Sequence, residues 1–126
     1  MEQEGRDYGV MALCRQAAAW LHEQAPVPAR VRVVGDDDCD GASSAYIVAS
    51  ALRRLGYEVE TRLAPLHTAQ QAKEAVAGPH DLAVVADAGS TFLKELDAQK
   101  KPVLVLDHHT VNAYRPKHVF EVNPRR

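Results

Sequence analysis

The stretch "VRVVGDDDCDG" runs from Val31 to Gly41 and joins an apolar run to four aspartates within five positions. The valines predict a buried β-strand that ends at Gly35, directly before the acidic residues. Carboxylates this close repel one another, because two unit charges about 4 Å apart interact by about 4 kcal/mol at a protein-like dielectric. An acidic cluster at a strand end therefore predicts a loop that binds cations.

Four further β-rich runs follow, at 57–63, 82–86, 102–106 and 118–122. "LAVVA" and "PVLVL" are nearly continuous hydrophobes, which is typical of strands buried on both faces of a parallel sheet. "YEVETRL" alternates instead, which favours an edge strand. Helical patterns at 7–23, 43–56, 68–78 and 90–100 separate the strands, with Gly56 as a C′ residue and Ser90 as an N-cap. The fold class predicted is α/β: a doubly wound three-layer sandwich around a mainly parallel five-stranded sheet.

Length and composition indicate one ordinary globular domain, 1–126, with 46% hydrophobic and 25% charged residues. We assign 1–29 to an N-terminal helix and connector, and 30–126 to the sheet and its motifs. The sequence predicts neither a membrane span nor a signal peptide, and two cysteines make no disulfide framework, so we expect a cytoplasmic protein. The net charge of −2 excludes a general positive field for nucleic acid, so such a partner needs a local site, a metal or another domain.

Three of the predicted strands end in candidate metal ligands, and the carboxyl ends of parallel strands share one edge of a sheet. The strands lead into Asp36–Asp40, into Asp87, and into Asp107-His108-His109. In extended chain, residues two apart lie about 6.5–7 Å apart on one side, so their carboxylates suit a pair of ions about 3.5–4 Å apart. We therefore expect Asp36, Asp38 and Asp40 to face the metals and Asp37 to point away.

The remaining ligands have distinct predicted roles. Asp87 is placed to bridge two ions, and His108 adds a nitrogen, which favours manganese, iron or zinc over magnesium. Asp107 is placed to hold a histidine ring or a water, and His109 to face a phosphate or protonate a leaving group. "GASS" opens a helix whose free N–H groups suit a phosphate, so the predicted phosphate contacts are Gly41, Ser43, Ser44 and His109. This chemistry predicts a dimetal phosphoesterase or phosphohydrolase.

Three motifs carry a resemblance to a known family. "GDDDCDGASSA", "VVADAGS" and "VLVLDHH" together resemble the DHH phosphoesterases, especially the RecJ-type and archaeal RecJ-like single-strand nucleases, and "EVNP" at 121–124 resembles a run that follows in that group. The resemblance implies a manganese-dependent exonuclease acting on single-stranded DNA or RNA in repair or replication, with Mg²⁺ as a substitute for the two Mn²⁺ ions. It implies Asp36 and Asp38 on one metal, Asp40 and His108 on the other, Asp87 between them, and His109 facing the phosphate.

The chain departs from that family in three respects. Cys39 replaces a small residue such as alanine, and Asp37 replaces an aromatic or polar one. Members of the family also carry a fourth motif, with a further metal-ligating aspartate, and a second domain. We therefore expect that this chain is truncated before the fourth motif and is weakly active or inactive in isolation.

Two alternative functions remain open. Some DHH proteins are non-catalytic scaffolds that bind GINS in the replication machinery, although in many of them the metal motifs have decayed. Other relatives hydrolyse cyclic dinucleotides, short oligoribonucleotides or pyrophosphate. The three intact motifs favour an enzyme. We predict that Cys14, Cys39 and Trp20 pack as apolar residues. We also predict that three further histidines lie on the surface or in loops, namely His67, His80 and His118.

Overall fold

The structure is a computed structural model that describes residues 2–125, with side chains described from residue 9 onward. Its helices are α1 (Glu2–Gln24), α2 (Cys39–Arg54), α3 (Ala69–Val76) and α4 (Leu93–Asp97). Its strands are β1 (Arg30–Gly35), β2 (Glu58–Leu63), β3 (Leu82–Ala86), β4 (Val103–Leu106) and β5 (Val119–Val122). None of the described helices is long and apolar enough to cross a membrane.

The five strands form one parallel sheet in the order β2-β1-β3-β4-β5. Helices α1 and α2 pack on one face, and α3 and α4 cover the other, so the predicted three-layer α/β sandwich is confirmed. The alternating strand β2 lies at the edge, as its pattern predicts. After β1 the chain adds β2 on one side of it, and the later strands β3, β4 and β5 lie on the other side. The switch in strand order therefore falls between β1 and β3, where ligands of such sheets bind.

Strands β1, β3, β4 and β5 end at the same level. Gly35 pairs with Ala86, Ala86 pairs with Leu106, and Leu106 pairs with Val122. The residue after each of these positions therefore occupies the same level along the sheet edge. We call these four residues the carboxyl-edge row: Asp36, Asp87, Asp107 and Asn123.

Helix α2 begins earlier than the sequence indicated. Its first residue is Cys39 rather than Ser43, and Asp38 is the N-cap, with its side chain accepting a hydrogen bond of 2.7 Å from the Gly41 amide. The chain is extended at Asp38 but helical from Cys39 onward, so the expectation that Asp36, Asp38 and Asp40 lie on one side of an extended chain is wrong. Asp40 instead lies in the first helical turn, where its charge suits the helix dipole.

Two glycines let the start of α2 approach the end of β1. A Cβ on Gly41 would lie 2.1 Å from the Asp36 carbonyl oxygen, and one on Gly35 would lie 2.3 Å from the Gly41 carbonyl oxygen. Both clashes involve backbone atoms, which cannot rotate away as a side chain does. The glycines of "GDDDCDG" therefore bring the aspartates and the helix start together.

The short connection after β3 also differs from its prediction. Ser90 is not an N-cap: a 3-10 turn covers Ser90–Phe92, its N-cap is Gly89 at φ 111°, and no side chain caps it. Ser90 is fully buried, and its hydroxyl donates to Glu121 at 2.5 Å. Gly56 has φ 100° just after the C-cap Leu55, as expected for a C′ residue.

The apolar predictions for the cysteines are wrong. Cys14 and Cys39 are both exposed and unpaired. Cys14 lies on the face of α1 that lines a groove toward α2, and Cys39 lies on the first turn of α2. Trp20 is half-buried and packs against Phe120, with ring centroids 5.5 Å apart, so it belongs to the edge of the core.

His80 lies in the loop between α3 and β3, as predicted, but its side chain is buried. It lies just before β3, at the opposite end of the sheet from the carboxyl-edge row. Within the described part of the chain, neither of its ring nitrogens has a hydrogen-bond partner. Burial, followed by repulsion from the charges of Arg32 and Lys101, lowers the pKa of His80 to about 4.

Acid should therefore destabilise the fold through His80. Its pKa is about 4 when folded and 6.5 ordinarily, so between these values the unfolded chain binds the proton preferentially and stability falls as the pH falls. The loss approaches at most about 3 kcal/mol below pH 4, at about 1.4 kcal/mol per pKa unit. Urea unfolding at intervals from pH 7 to 4 measures it. His80→Met should flatten the curve and His22→Gln, on exposed α1 surface, should not; equal slopes for wild type and His80→Met would contradict this origin.

Candidate metal centre

Asp36 occupies the first position of the carboxyl-edge row beyond β1. Its side chain is 15% exposed, and its Oδ1 accepts hydrogen bonds from the amides of Asp37 at 2.9 Å and Leu66 at 3.4 Å. Leu66 belongs to the loop after β2, so this contact ties that loop to the aspartate cluster. The carboxylate is thus oriented by two neighbouring strand ends while part of it stays open to solvent.

Asp87 follows β3 and has a left-handed backbone conformation, with φ 65°. This is uncommon for a residue other than glycine, although Asp and Asn tolerate it best. The conformation is held by a hydrogen bond of 2.7 Å from the Asp87 amide to the Leu106 carbonyl. It directs the carboxylate toward His108, whose Nε2 lies 2.9 Å from Asp87 Oδ1. Two donors at about 2.0–2.2 Å from one ion stand about 3 Å apart at right angles, so this pair is spaced as two ligands of a single ion are.

Asp107 is the buried aspartate of the row, with 1% of its side chain exposed. It accepts hydrogen bonds from the amides of Ser90 at 3.0 Å and His108 at 2.8 Å, and from His109 Nδ1 at 2.5 Å. The predicted contact between Asp107 and a histidine ring is present, and the ring is that of His109. Burial alone would raise the pKa of Asp107, but these hydrogen bonds outweigh it and lower the pKa below its usual value.

The carboxylate of Asp107 sets the state of His109 in turn. The hydrogen bond to Asp107 raises the pKa of His109, so the imidazolium form is favoured relative to a free histidine. With Nδ1 bound to Asp107, the other ring nitrogen, Nε2, is the one left for a ligand. The ring of His109 stacks on that of His108, with centroids 4.4 Å apart.

Asn123 and Ser90 complete this arrangement, and sequence reasoning missed both as site residues. The Asn123 side-chain amide donates to the His109 carbonyl and to the Ser90 hydroxyl, each at 2.9 Å, and Asn123 is fully buried. The turn that carries the two histidines is therefore fixed by Asp107 on one side and by Asn123 on the other. The available signal was positional, because Asn123 follows the last strand as Asp107 follows its neighbour.

The residues of α2 that were predicted to contact a phosphate have different environments in the structure. The Gly41 amide donates to Asp38, and the Ala42 amide to the Asp38 carbonyl, so these N–H groups are not free as predicted. Ser43 is exposed on α2. Ser44 lines a pocket of about 400 Å³ that also contains Asp87, Asp107 and His108, with apolar walls. The pocket walls come from Cys14, Ile47, Val48, Ala86, Leu106, Val122 and Pro124.

Within the described part of the chain, two groups of side chains have donor atoms close enough to hold an ion. One comprises Asp107, His108 and His109, and the other Asp36, Asp37 and His67, with donor atoms within 4.8 Å of one another in each group. Carboxylate oxygens mixed with imidazole nitrogens fit manganese, iron or zinc, so the residues present fit the predicted metal. Among the described residues, Asp38 and Asp40 belong to neither group, and their metal role stays a prediction.

The second group contains two residues outside the predicted ligand set, Asp37 and His67. Asp37 was expected to point away from the metals, whereas His67 is exposed and lies in a loop, as predicted. A signal for His67 was present, because β2 is also a parallel strand and the loop after it starts from the same sheet edge.

Residues 30–126 match the DHH family, N-terminal domain. The structure is similar to that of RecJ in complex with Mn²⁺ from Thermus thermophilus, with a TM-score of 0.65 and 33% identity over 88% of this chain and 17% of that chain. It is also similar to a crystal structure of exonuclease RecJ bound to manganese, with a TM-score of 0.67 and 31% identity over 88% of this chain and 31% of that chain. The chain thus spans less than a third of the length of either RecJ. No curated protein matches it.

Proposed function

Because the chain belongs to the DHH family, we propose that it hydrolyses phosphodiester bonds in single-stranded nucleic acid, as a RecJ-like exonuclease with two Mn²⁺ ions. The observation that carries this proposal is the carboxyl-edge row, in which three aspartates occupy equivalent positions on adjacent strands. The similarity to two manganese-bound RecJ structures supports it. We place the protein in the cytoplasm, where the exposed thiols of Cys14 and Cys39 would stay reduced.

The proposed metal ligands are five residues from three strand ends: Asp36, Asp38, Asp40, Asp87 and His108. When bound, the ions supply Lewis-acid activation of the phosphodiester and lower the pKa of the attacking water, with Mg²⁺ as a weaker substitute. Asp87 is the proposed bridge, because its carboxylate lies between the β1 and β4 ligands in the row. Its hydrogen bond to His108 at 2.9 Å supports a shared ion there.

The other side chains bind and orient the substrate. Asp107 holds the His109 ring by Nδ1, which turns Nε2 outward, and the same hydrogen bond raises the pKa of His109 and so favours its protonated form. We assign His109 to donate this proton to a phosphate oxygen or to the leaving group. Ser43 and Ser44 both lie near the start of α2, and Ser44 lines the pocket, whose apolar walls suit the sugar and base of a nucleotide.

The isolated chain should work weakly or not at all as a nuclease. The side chains of His108 and His109 are 62% and 54% exposed in this structure. Electrostatic interactions at a site this open are weakened by water, whereas nuclease chemistry depends on their strength in an enclosed site. Binding is therefore the sharper assay for the chain by itself.

The test compares substrates and metals. We expect the chain to bind labelled single-stranded DNA or RNA better than duplex DNA in Mn²⁺, to bind poorly in EDTA, and to cleave slowly if at all. His109→Gln should weaken oligonucleotide binding more than it weakens Mn²⁺ binding. A preference for a cyclic dinucleotide or pyrophosphate would contradict the nuclease proposal, and oligonucleotide binding that needs no metal would favour a scaffold, as in the DHH proteins that bind GINS.

A further inference from the structure

His67 lies beside the aspartate cluster although it comes from a separate segment. It follows β2 by four residues, in the loop before α3. Its Nε2 is 3.9 Å from Asp36 Oδ1 and 4.0 Å from Asp37 Oδ1. The side chain is 66% exposed, so burial contributes little to its position beside the two carboxylates.

The backbone on both sides of His67 is fixed. Leu66 is buried against the α3 face of the sheet, and its amide donates to Asp36. Thr68 is the N-cap of α3 in a capping box with Gln71, whose side chain accepts from the His67 amide at 2.8 Å and the Thr68 amide at 3.1 Å. The fold therefore presents the His67 ring to the aspartates, because both neighbours are held by separate contacts.

The distances fit coordination of a single ion. With metal–ligand bonds of about 2.0–2.2 Å, two donors of one ion can stand at most about 4.4 Å apart. Both separations from His67 Nε2 fall inside that limit. At the other end of the row an aspartate also lies beside a histidine, since Asp87 Oδ1 is 2.9 Å from His108 Nε2.

We propose that His67, with Asp37, ligates the ion held by Asp36, so that the loop after β2 supplies the second nitrogen ligand of the metal centre. This inference rests on the proposed function only for the identity of the ion. It gives each half of the centre one imidazole: His67 beside β1 and His108 beside β4. Nitrogen ligands at both ions favour manganese over magnesium more strongly than one does. The side chain of Asp38 caps α2. His67 adds to the proposed role of Asp38 as a metal ligand and does not replace it.

The experiment measures metal binding, not activity. Titration calorimetry with Mn²⁺ on wild type should reveal two ions, and His67→Ala should weaken one of them by at least about tenfold, the range seen when groups supporting a metal site are removed. His22→Ala, which removes an exposed histidine from α1, should leave both unchanged. Asp37→Asn should weaken the same ion, and the double variant should lose less than the sum. Pulsed electron paramagnetic resonance of bound Mn²⁺ should show fewer histidine nitrogen couplings in His67→Ala.

The outcomes separate this inference from the proposed function. Unchanged or tighter Mn²⁺ binding in His67→Ala, together with loss in Asp87→Asn, would overturn the ligand role of His67 and leave the metal centre standing. His67 would then be only an ion-pair partner of the carboxylates. No Mn²⁺ binding by wild type would overturn both. Equal unfolding temperatures of wild type and His67→Ala in EDTA establish that the variant is folded.

Discussion

The Asp87→Asn variant should lose Mn²⁺ binding while keeping its fold. Asparagine tolerates the left-handed conformation at φ 65°, and its side-chain oxygen can still accept a hydrogen bond from His108. What it removes is the negative charge in the middle of the carboxyl-edge row. Loss of a group that merely supports a ligand costs about 10- to 100-fold in metal affinity, so loss of the proposed bridging carboxylate should cost more.

Titration calorimetry with Mn²⁺ checks this result, and Asp81→Asn is its matched control. Asp81 precedes the other end of β3, where its carboxylate accepts a hydrogen bond of 2.8 Å from the Arg30 amide. The control therefore changes the net charge by the same amount, but at the amino-terminal end of β3, opposite the carboxyl-edge row. If both variants bound Mn²⁺ as wild type does, the centre would not lie at the strand ends.

Within the "GDDDCDG" stretch, we expect Gly41→Ala to lower the free energy of unfolding more than any other substitution that adds a single methyl group. Its Cβ would lie 2.1 Å from the carbonyl oxygen and 2.6 Å from the amide nitrogen of Asp36, both of them backbone atoms. Relief requires either β1 or the start of α2 to move, and overpacking of this kind costs about 3 kcal/mol. For a domain of this size we expect the unfolding midpoint to fall by about 10 °C.

Thermal and urea unfolding followed by circular dichroism measure the loss. Gly9→Ala is the control, because no heavy atom lies within 4 Å of a Cβ built there. That substitution lies within α1 and should stabilise the chain by about 0.5–1 kcal/mol. A Gly41→Ala variant as stable as wild type would show that the approach of α2 to Asp36 is looser than the structure has it.

The sequence alone was sufficient for the sheet and for its functional edge. Apolar runs such as "LAVVA" are long enough to be buried on both faces, and this places Asp87 and Asp107 at the ends of central strands. The register of Ala86 with Leu106 then brings these two aspartates to the same level, as the shared-edge argument predicts. Hydrophobic patterning thus determines where the charged residues go, and this part of the fold is predictable without tertiary information.

The local geometry of the first motif was not predictable in the same way. An aspartate series with a spacing of two fits an extended chain, but the capping bond from Gly41 to Asp38 starts a helix at Cys39. The side chain of Asp38 competes for the backbone, and the balance depends on contacts between Gly41 and Asp36 that a pattern does not contain. The same holds for His80, whose burial depends on packing near Arg32 and not on its neighbours in sequence.

His67 is a different kind of omission. The rule that ligands collect at the carboxyl ends of parallel strands applies to β2 as well as to β1, β3 and β4. Because β2 is exposed and its apolar residues alternate with polar ones, its sequence does not mark its end as part of the buried sheet edge. The hydrogen bond from the Leu66 amide to Asp36 shows that the edge strand contributes its loop to the same site.

Because the strands end at the same level, the length of each strand determines where the carboxylate that follows it lies. Removing one residue from β3 would hardly change its hydrophobic composition, yet it would draw the following carboxylate back by about 3.3 Å and turn it to the opposite face of the sheet. The reverse also holds: any parallel sheet in which three adjacent strands stop together already has the spacing for such a centre. A designer could place the carboxylates by choosing where the strands end, and would then need loops to supply the remaining ligands.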